Sequence, residues 1–224
     1  MEKTNYPDPI LETVYNQIKD DIVEGFFQQG EKLAVRVLCE RYHVSDTPVK
    51  QALNRLAAEG LVEALPRRGM RVRVFDEQDI RDMFRVRYMI ESYCVEECIR
   101  IFQKDPSAKQ PFSLLIAEHR ALLESLGSQH TVADYLKHQK LDNDFHNLIV
   151  RTVGSPRIMD LYTSSRTHIY MCQIYRKRGE NEMWITFSEH EKLCEALLRC
   201  DVEGAKAALR YHIDSLLSDM DKFV

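Results

Sequence analysis

Apolar residues recur at helical spacing from the start of the chain. "PILETVYNQIKDDIVEG" sets Ile10, Val14, Ile18 and Ile22 on one face, with Gly25 as a C-terminal stop. After a turn in "FFQQGEKL", "AVRVLCERY" predicts a second short helix with Val37, Leu38 and Tyr42 available for packing. "HVS" is a tight connection, and Ser45 suits the N-cap of a third helix that buries Val49, Leu53 and Leu56 and stops at Gly60. "LVEAL" and "MRVRVF" then alternate around "PRRG", a hairpin signal. Three helices and a hairpin in this order predict a winged helix-turn-helix over residues 1–75. A third helix of this size fits the major groove of B-DNA, and an Arg-bearing hairpin tip can reach the minor groove.

From Asp76 onward the pattern is helical throughout. "DEQDIRDMFRVRYMIESYCVEECIRIF" opens with Asp76 and Asp79 at capping positions, and its apolar stripe runs Ile80, Met83, Phe84, Ile90, Cys94, Cys98, Ile101. Further helices are expected over 112–126, 131–152, 156–178, 184–200 and 202–222, separated by "KDPSAKQP", "GSQH", "VGSP" and "RGENE". Short connections between about six helices predict an antiparallel all-helical bundle over 76–224, and a mainly α protein as a whole.

Composition narrows the class. A chain of 224 residues, 44% hydrophobic and 29% charged, fits one large or two modest globular domains. No apolar run approaches the ~20 residues of a membrane span. "MEKTNYPDPI" has no apolar core of a signal peptide, so a cytoplasmic location without a membrane partner is expected. Six scattered cysteines, Cys39, Cys94, Cys98, Cys172, Cys194 and Cys200, contain no CxxC and are expected to be reduced. The net charge of −4 argues against a wholly basic coat. Residues 36–73 nevertheless carry eight bases against four acids, a local surplus that attracts phosphate.

Three of the later helices carry something costly on their apolar faces. Asp142 and His146 stack one turn apart beside Leu141, Phe145, Leu148 and Ile149; His190 continues the stripe Leu193, Cys194, Leu197; His212 sits among Ala208, Leu209, Ile213 and Leu216. A carboxylate pointing into a core needs a partner. A divalent cation shared by this acid and three neutral imidazoles satisfies all four, and so, for each histidine alone, does a backbone carbonyl. His43, His119, His130, His138 and His168 are expected at the surface or in packing roles, although His138 shares a face with Asp142 and His146.

"GEKLAVRVLCERYHVSDTPVKQALNRLAAEGLVEALPRRGMRV" resembles the N-terminal signature of the GntR superfamily of bacterial transcription regulators. The resemblance implies binding to double-stranded DNA through Arg36, Ser45, Asp46, Thr47, Lys50, Arg67, Arg68 and Gly69. Two positions depart from the family pattern: Asp46 and Lys50 stand where arginines are usual. Asp46 has two readings, as a first-turn acid favoured by the helix dipole or as an acceptor for a cytosine amino group in the groove.

Residues 76–222 resemble the FCD effector domain of one GntR branch, on Asp142-Phe145-His146, His190 and Asp201-Ala205-His212. The resemblance implies that Asp142, His146, His190 and His212 bind a metal, most often zinc or nickel. It also implies a small organic acid as effector, with Arg87, and more weakly Arg166, in its pocket, and a homodimer on a palindromic operator. Arg87 has a second reading as a buried partner of Glu91 that fixes helix packing.

The sequence thus points to a metabolite-responsive regulator and not an enzyme. Two alternatives stand beside it. In one the ion itself is the signal. In the other the three-His, one-Asp site activates water, although no HExxH, nucleophile elbow or phosphate loop accompanies it.

Overall fold

The computed structural model describes residues 9–23, 25–126, 131–165 and 180–220. These fall into two compact units, one running through Ile80 and one from Arg81 onward. None of the described helices is long and apolar enough to cross a membrane.

The first unit comprises α1 (Pro9–Val23), β1 (Lys32–Leu33), α2 (Val35–Tyr42), α3 (Asp46–Ala58), β2 (Val62–Leu65) and β3 (Gly69–Val72). The three strands form an antiparallel sheet in the order β1-β3-β2. Val14, Ile18 and Ile22 of α1 pack on Val49, Leu53 and Leu56 of α3, with Leu38 of α2 closing the same core. Arg55 spans the α1–α3 seam, bonded to Glu12 at 2.6 Å and lying 3.8 Å over the Tyr15 ring, whose hydroxyl donates to Glu59.

Four expectations change here. Ile10 is exposed, because the first turn of α1 extends past the core. Val37 is 55% exposed: α2 has only eight residues, and with Leu38 turned inward its neighbour faces out. Lys32–Leu33, expected in a turn, form a third strand that gives β3 a second partner. Ser45 has the extended backbone of an N-cap, but its side chain makes no capping bond.

The hairpin tip turns through Leu65–Arg68, where the Leu65 carbonyl accepts from the Arg68 N–H at 3.0 Å. Pro66 takes the first corner and Arg67 the second with φ 60°, the order of a type II turn in which glycine is usual at the second corner. Both arginine side chains are left exposed at the tip.

The second unit is helical. α4 (Glu77–Lys104) is followed by a 3-10 turn (Pro106–Lys109), α5 (Gln110–Ser125), α6 (Val132–Thr152), α7 (Pro156–Ser164), α8 (Glu180–Leu198) and α9 (Val202–Met220). α4 opens, within the first unit, on a reciprocal cap in which the Asp79 N–H donates to Asp76 at 2.7 Å and the Asp76 N–H to Asp79 at 3.4 Å. Of its expected stripe, Ile80, Phe84, Cys94 and Cys98 are buried, while Met83, Ile90 and Ile101 are only partly so. Val95, Ile99 and Phe102 fill the core in their place. The helix expected over 156–178 ends at Ser164 within the described residues; 166–179, with Arg166, His168 and Cys172, lie outside them, as does His130.

Phe102, Phe112 and Phe145 stack edge to face at 5.3 and 6.4 Å between α4, α5 and α6. The Cys98 thiol donates to the Ile149 carbonyl, tying α4 to α6, and the five cysteines described are free. α8 and α9 form a helical hairpin through Cys200, which adopts φ 58°. Asp201 caps α9 by accepting from the Gly204 N–H at 2.9 Å. A methyl at 204 would overlap the Asp201 carboxylate, so a side chain there would shift the cap.

Candidate metal centre and DNA-facing surface

Three helices of the second unit each deliver one histidine to a common point: His146 from α6, His190 from α8 and His212 from α9, all buried. Their side chains arrive Nε2 first. Nε2 of His190 lies 3.0 Å from Nε2 of His146 and 3.4 Å from Nε2 of His212. Separations of this size would let the three nitrogens share one metal ion at bond lengths of ~2.1 Å.

The outer nitrogens fix the tautomers. His146 Nδ1 lies 2.9 Å from Glu91 Oε2, and His212 Nδ1 lies 2.8 Å from Glu189 Oε2. A carboxylate accepts, so both Nδ1 atoms hold protons, and in the neutral imidazole each Nε2 then presents its lone pair inward. Burial, with the neighbouring histidines, pushes His190 well below its ordinary value and keeps it neutral. Burial also lowers His212, against the pull of Glu189. A neutral His190 can donate from Nε2 to one neighbour at most, and its buried Nδ1 has no hydrogen-bond partner. At least one of the inward lone pairs therefore has no proton to accept. A divalent cation is the chemical species this donor set fits, and the carboxylate–imidazole pairs behind it are the outer support that metal-binding histidines use.

Asp142 stands at the edge of the group. Its Oδ1 is 3.5 Å from His190 Nε2 and its side chain is 17% exposed, whereas among the described residues the three histidines lie mutually within 4.8 Å. Although burial opposes ionisation, the surrounding histidines and Arg87 hold its carboxyl below the ordinary range.

Arg87 and Glu91 are buried together, Nε to Oε1 at 2.9 Å. The same Glu91 oxygen accepts from the Tyr162 hydroxyl at 2.6 Å, so one carboxylate joins α4, α6 and α7. Burial alone would raise Glu91; Arg87 and His146 hold it well below the ordinary value.

Glu189 carries no signal in the sequence, since its role depends on His212 lying across the hairpin. His119 and His138 are fully buried and bonded to each other, Nε2 to Nδ1 at 2.8 Å, with His119 against Phe187. The one available signal was the shared face of His138, Asp142 and His146.

In the first unit, the residues expected at DNA are exposed. Arg36 is 91% exposed and paired with Glu40 at 3.0 Å. Asp46 and Lys50 form an i,i+4 pair at 2.9 Å on the open face of α3. An open groove of about 460 Å³ runs between α3 and the hairpin, lined by Lys32, Lys50, Asn54 and Gly69 among others. Lys32 and Asn54 lie within the stretch that resembles the signature but were not among the residues expected at DNA.

Residues 10–72 match the family described as bacterial regulatory proteins, gntR family, and residues 82–215 match the FCD domain. The chain is 24% identical over 212 residues to the HTH-type transcriptional regulator YdhC of Bacillus subtilis (strain 168), spanning 95% of this chain and 91% of that protein. It is 27% identical over 209 residues to the HTH-type transcriptional repressor GlaR of Escherichia coli (strain K12), spanning 89% and 90%. The solved structure of E. coli McbR/YncC superposes with a TM-score of 0.75 at 17% identity, covering 96% of this chain and 99% of that one.

Proposed function

The chain belongs to the gntR family of bacterial regulatory proteins with an FCD domain, and on that premise we propose that its helical domain, residues 76–224, holds a divalent metal ion and a small carboxylic acid that together set operator affinity. Membership makes it a DNA-binding transcription regulator rather than an enzyme. The observation that carries the proposal is the convergence of three Nε2 atoms with carboxylates fixing the two outer imidazoles.

His146, His190, His212 and Asp142 would hold the ion. When bound, zinc or nickel supplies positive charge and open positions to which an organic carboxylate adds. The protein's own contribution is orientation. Glu91 and Glu189 hold His146 and His212 with their lone pairs inward, and Arg87 places a fixed guanidinium beside the centre, suited to bidentate contact with a carboxylate. An incoming acid competes with Glu91 for Arg87. Both residues lie on α4, which starts shortly after the hairpin of the DNA-binding domain, so a change in their pairing acts on the helix that leads out of the wing. A ligand preferring one arrangement by ~1–3 kcal/mol gives ample regulation. In a two-fold homodimer the reading helices would meet a palindromic operator. Arg166 is proposed for the same pocket on the resemblance alone.

The test is metal content and linkage. The purified protein is assayed for zinc and nickel, stripped with chelator and reloaded, and its affinity for selected DNA is measured with and without added small carboxylic acids. Metal bound in a one-to-one ratio, with DNA affinity that shifts on adding an acid, is expected. Absence of bound metal after reloading overturns it. If free zinc alone moves DNA affinity and no acid does, the ion is the signal.

A further inference from the structure

Asp46 and Lys50 open the exposed face of α3, the second helix of the helix-turn-helix, whose N-terminal residues meet base edges in this fold. Asp46 Oδ2 and Lys50 Nζ are 2.9 Å apart, with side chains 65% and 59% exposed. The Cys39 thiol on α2 reaches the other oxygen, Oδ1, at 3.4 Å, so the carboxylate is restrained from two sides. Lys50 and Cys39 also hold Asp46 below the ordinary carboxylate range, leaving it a permanent acceptor. An isolated carboxylate there would repel phosphate. Paired with Lys50, it forms a neutral unit with one acceptor and one donor side by side.

We propose that Asp46 and Lys50 read a single C·G base pair as a unit, Asp46 accepting from the cytosine amino group and Lys50 donating to guanine. The cytosine N4 and guanine O6 of one pair are hydrogen-bonded to each other and therefore about 2.9 Å apart. That spacing matches the separation of the two side-chain atoms. Lys50 gains a second acceptor in guanine N7. The alternative A·T pair fits less well, because its amino group lies between two acceptors, adenine N7 and thymine O4, that repel a carboxylate. Thymine in the cytosine position offers Asp46 only an oxygen and a methyl group. The inference concerns DNA reading and is independent of the metal centre.

The experiment is selection from a randomised DNA library with the full-length wild-type protein, D46A, D46N and K50A, each run with and without added zinc. The wild type is expected to select a half-site with a fixed C·G pair, and its replacement by T·A to weaken binding roughly tenfold or more. D46A should weaken the preference at that position alone, leaving only what Lys50 reads of guanine, and should bind unrelated DNA more tightly. D46N should move the preference towards adenine, which an amide reads through N6 and N7. K50A should lose the guanine contact and relax specificity at that position. Asp46 is exposed, so the folded state of each variant is checked by its melting temperature. A D46A motif identical to the wild-type motif reduces Asp46 to a helix-end charge and overturns the proposal. So does a wild-type motif without such a C·G pair, or binding without sequence preference.

Discussion

His146 and His190 face each other nitrogen to nitrogen, Nε2 to Nε2 at 3.0 Å, although the proton of His146 is committed to Glu91 on the far side of its ring. His212 repeats the arrangement through Glu189. Packing alone gives no reason for two buried imidazoles to spend their protons outward and aim lone pairs at a third.

Metal should therefore stabilise the protein. At a free ion concentration 100 times the dissociation constant, binding adds about 2.7 kcal/mol. For a domain of this size that raises the melting temperature by roughly 5–10 °C. Thermal unfolding of stripped and reloaded protein measures it, and H190A should abolish the difference while leaving the DNA-binding unit folded.

Glu189→Gln tests the outer support. An amide leaves the ring of His212 free to choose the other tautomer, so metal affinity should fall about 10- to 100-fold. Competition with a fluorescent zinc chelator measures this. An unchanged affinity would mean that Glu189 serves packing only.

Glu91→Gln should act more broadly. It leaves the buried Arg87 charge without its carboxylate, which costs about 3–5 kcal/mol. Urea unfolding should show a much lower midpoint than for Glu189→Gln, and Arg87→Met with Glu91→Gln should recover part of the loss.

Acidification should destabilise the metal-free protein. His119, His190 and His212 all lie below the ordinary histidine value, chiefly through burial, so they are neutral when folded. The unfolded chain takes up these protons below about pH 6.5. Stability is thus full above that pH and falls as pH drops towards the lowered folded values, by at most about 1.4 kcal/mol per pH unit for each proton. Urea titrations at pH 7.5 and 5.5 give the slope; a flat profile would contradict buried neutral histidines.

Arg67→Gly separates stability from DNA binding. Arg67 holds φ 60° at a corner that glycine occupies without strain, so the substitution should stabilise the first unit by about 1 kcal/mol. Removing the charge should weaken DNA binding and reduce its salt slope by about one if Arg67 touches phosphate.

The fold was legible where the determining contacts are local. Val14, Ile18 and Ile22 share a helix face by spacing alone, and Asp76 caps Asp79 within one turn. Leu65 and Gly69 flank a tip written in Pro66 and Arg67. The three histidines were nameable because each interrupts an apolar stripe. Their carboxylate partners were not, since Glu91 and His146 are 55 residues apart and only tertiary packing joins them. His119 and His138, expected at the surface or in packing, are buried because α5 and α6 pack side by side, which only the shared face of His138 hinted at. The β1 strand has only two residues and takes its conformation from β3, which no local pattern announces.

The cap on α9 acts as a ruler. Asp201 and Gly204 fix where the helix begins, and His212 follows eleven residues later, about three turns, so it emerges on the same side as the cap. Inserting or deleting one residue between them would swing His212 through about 100° and remove it from the centre without disturbing any ligand's identity. A change in the length of this segment would thus displace His212 more than a substitution at one of its exposed positions.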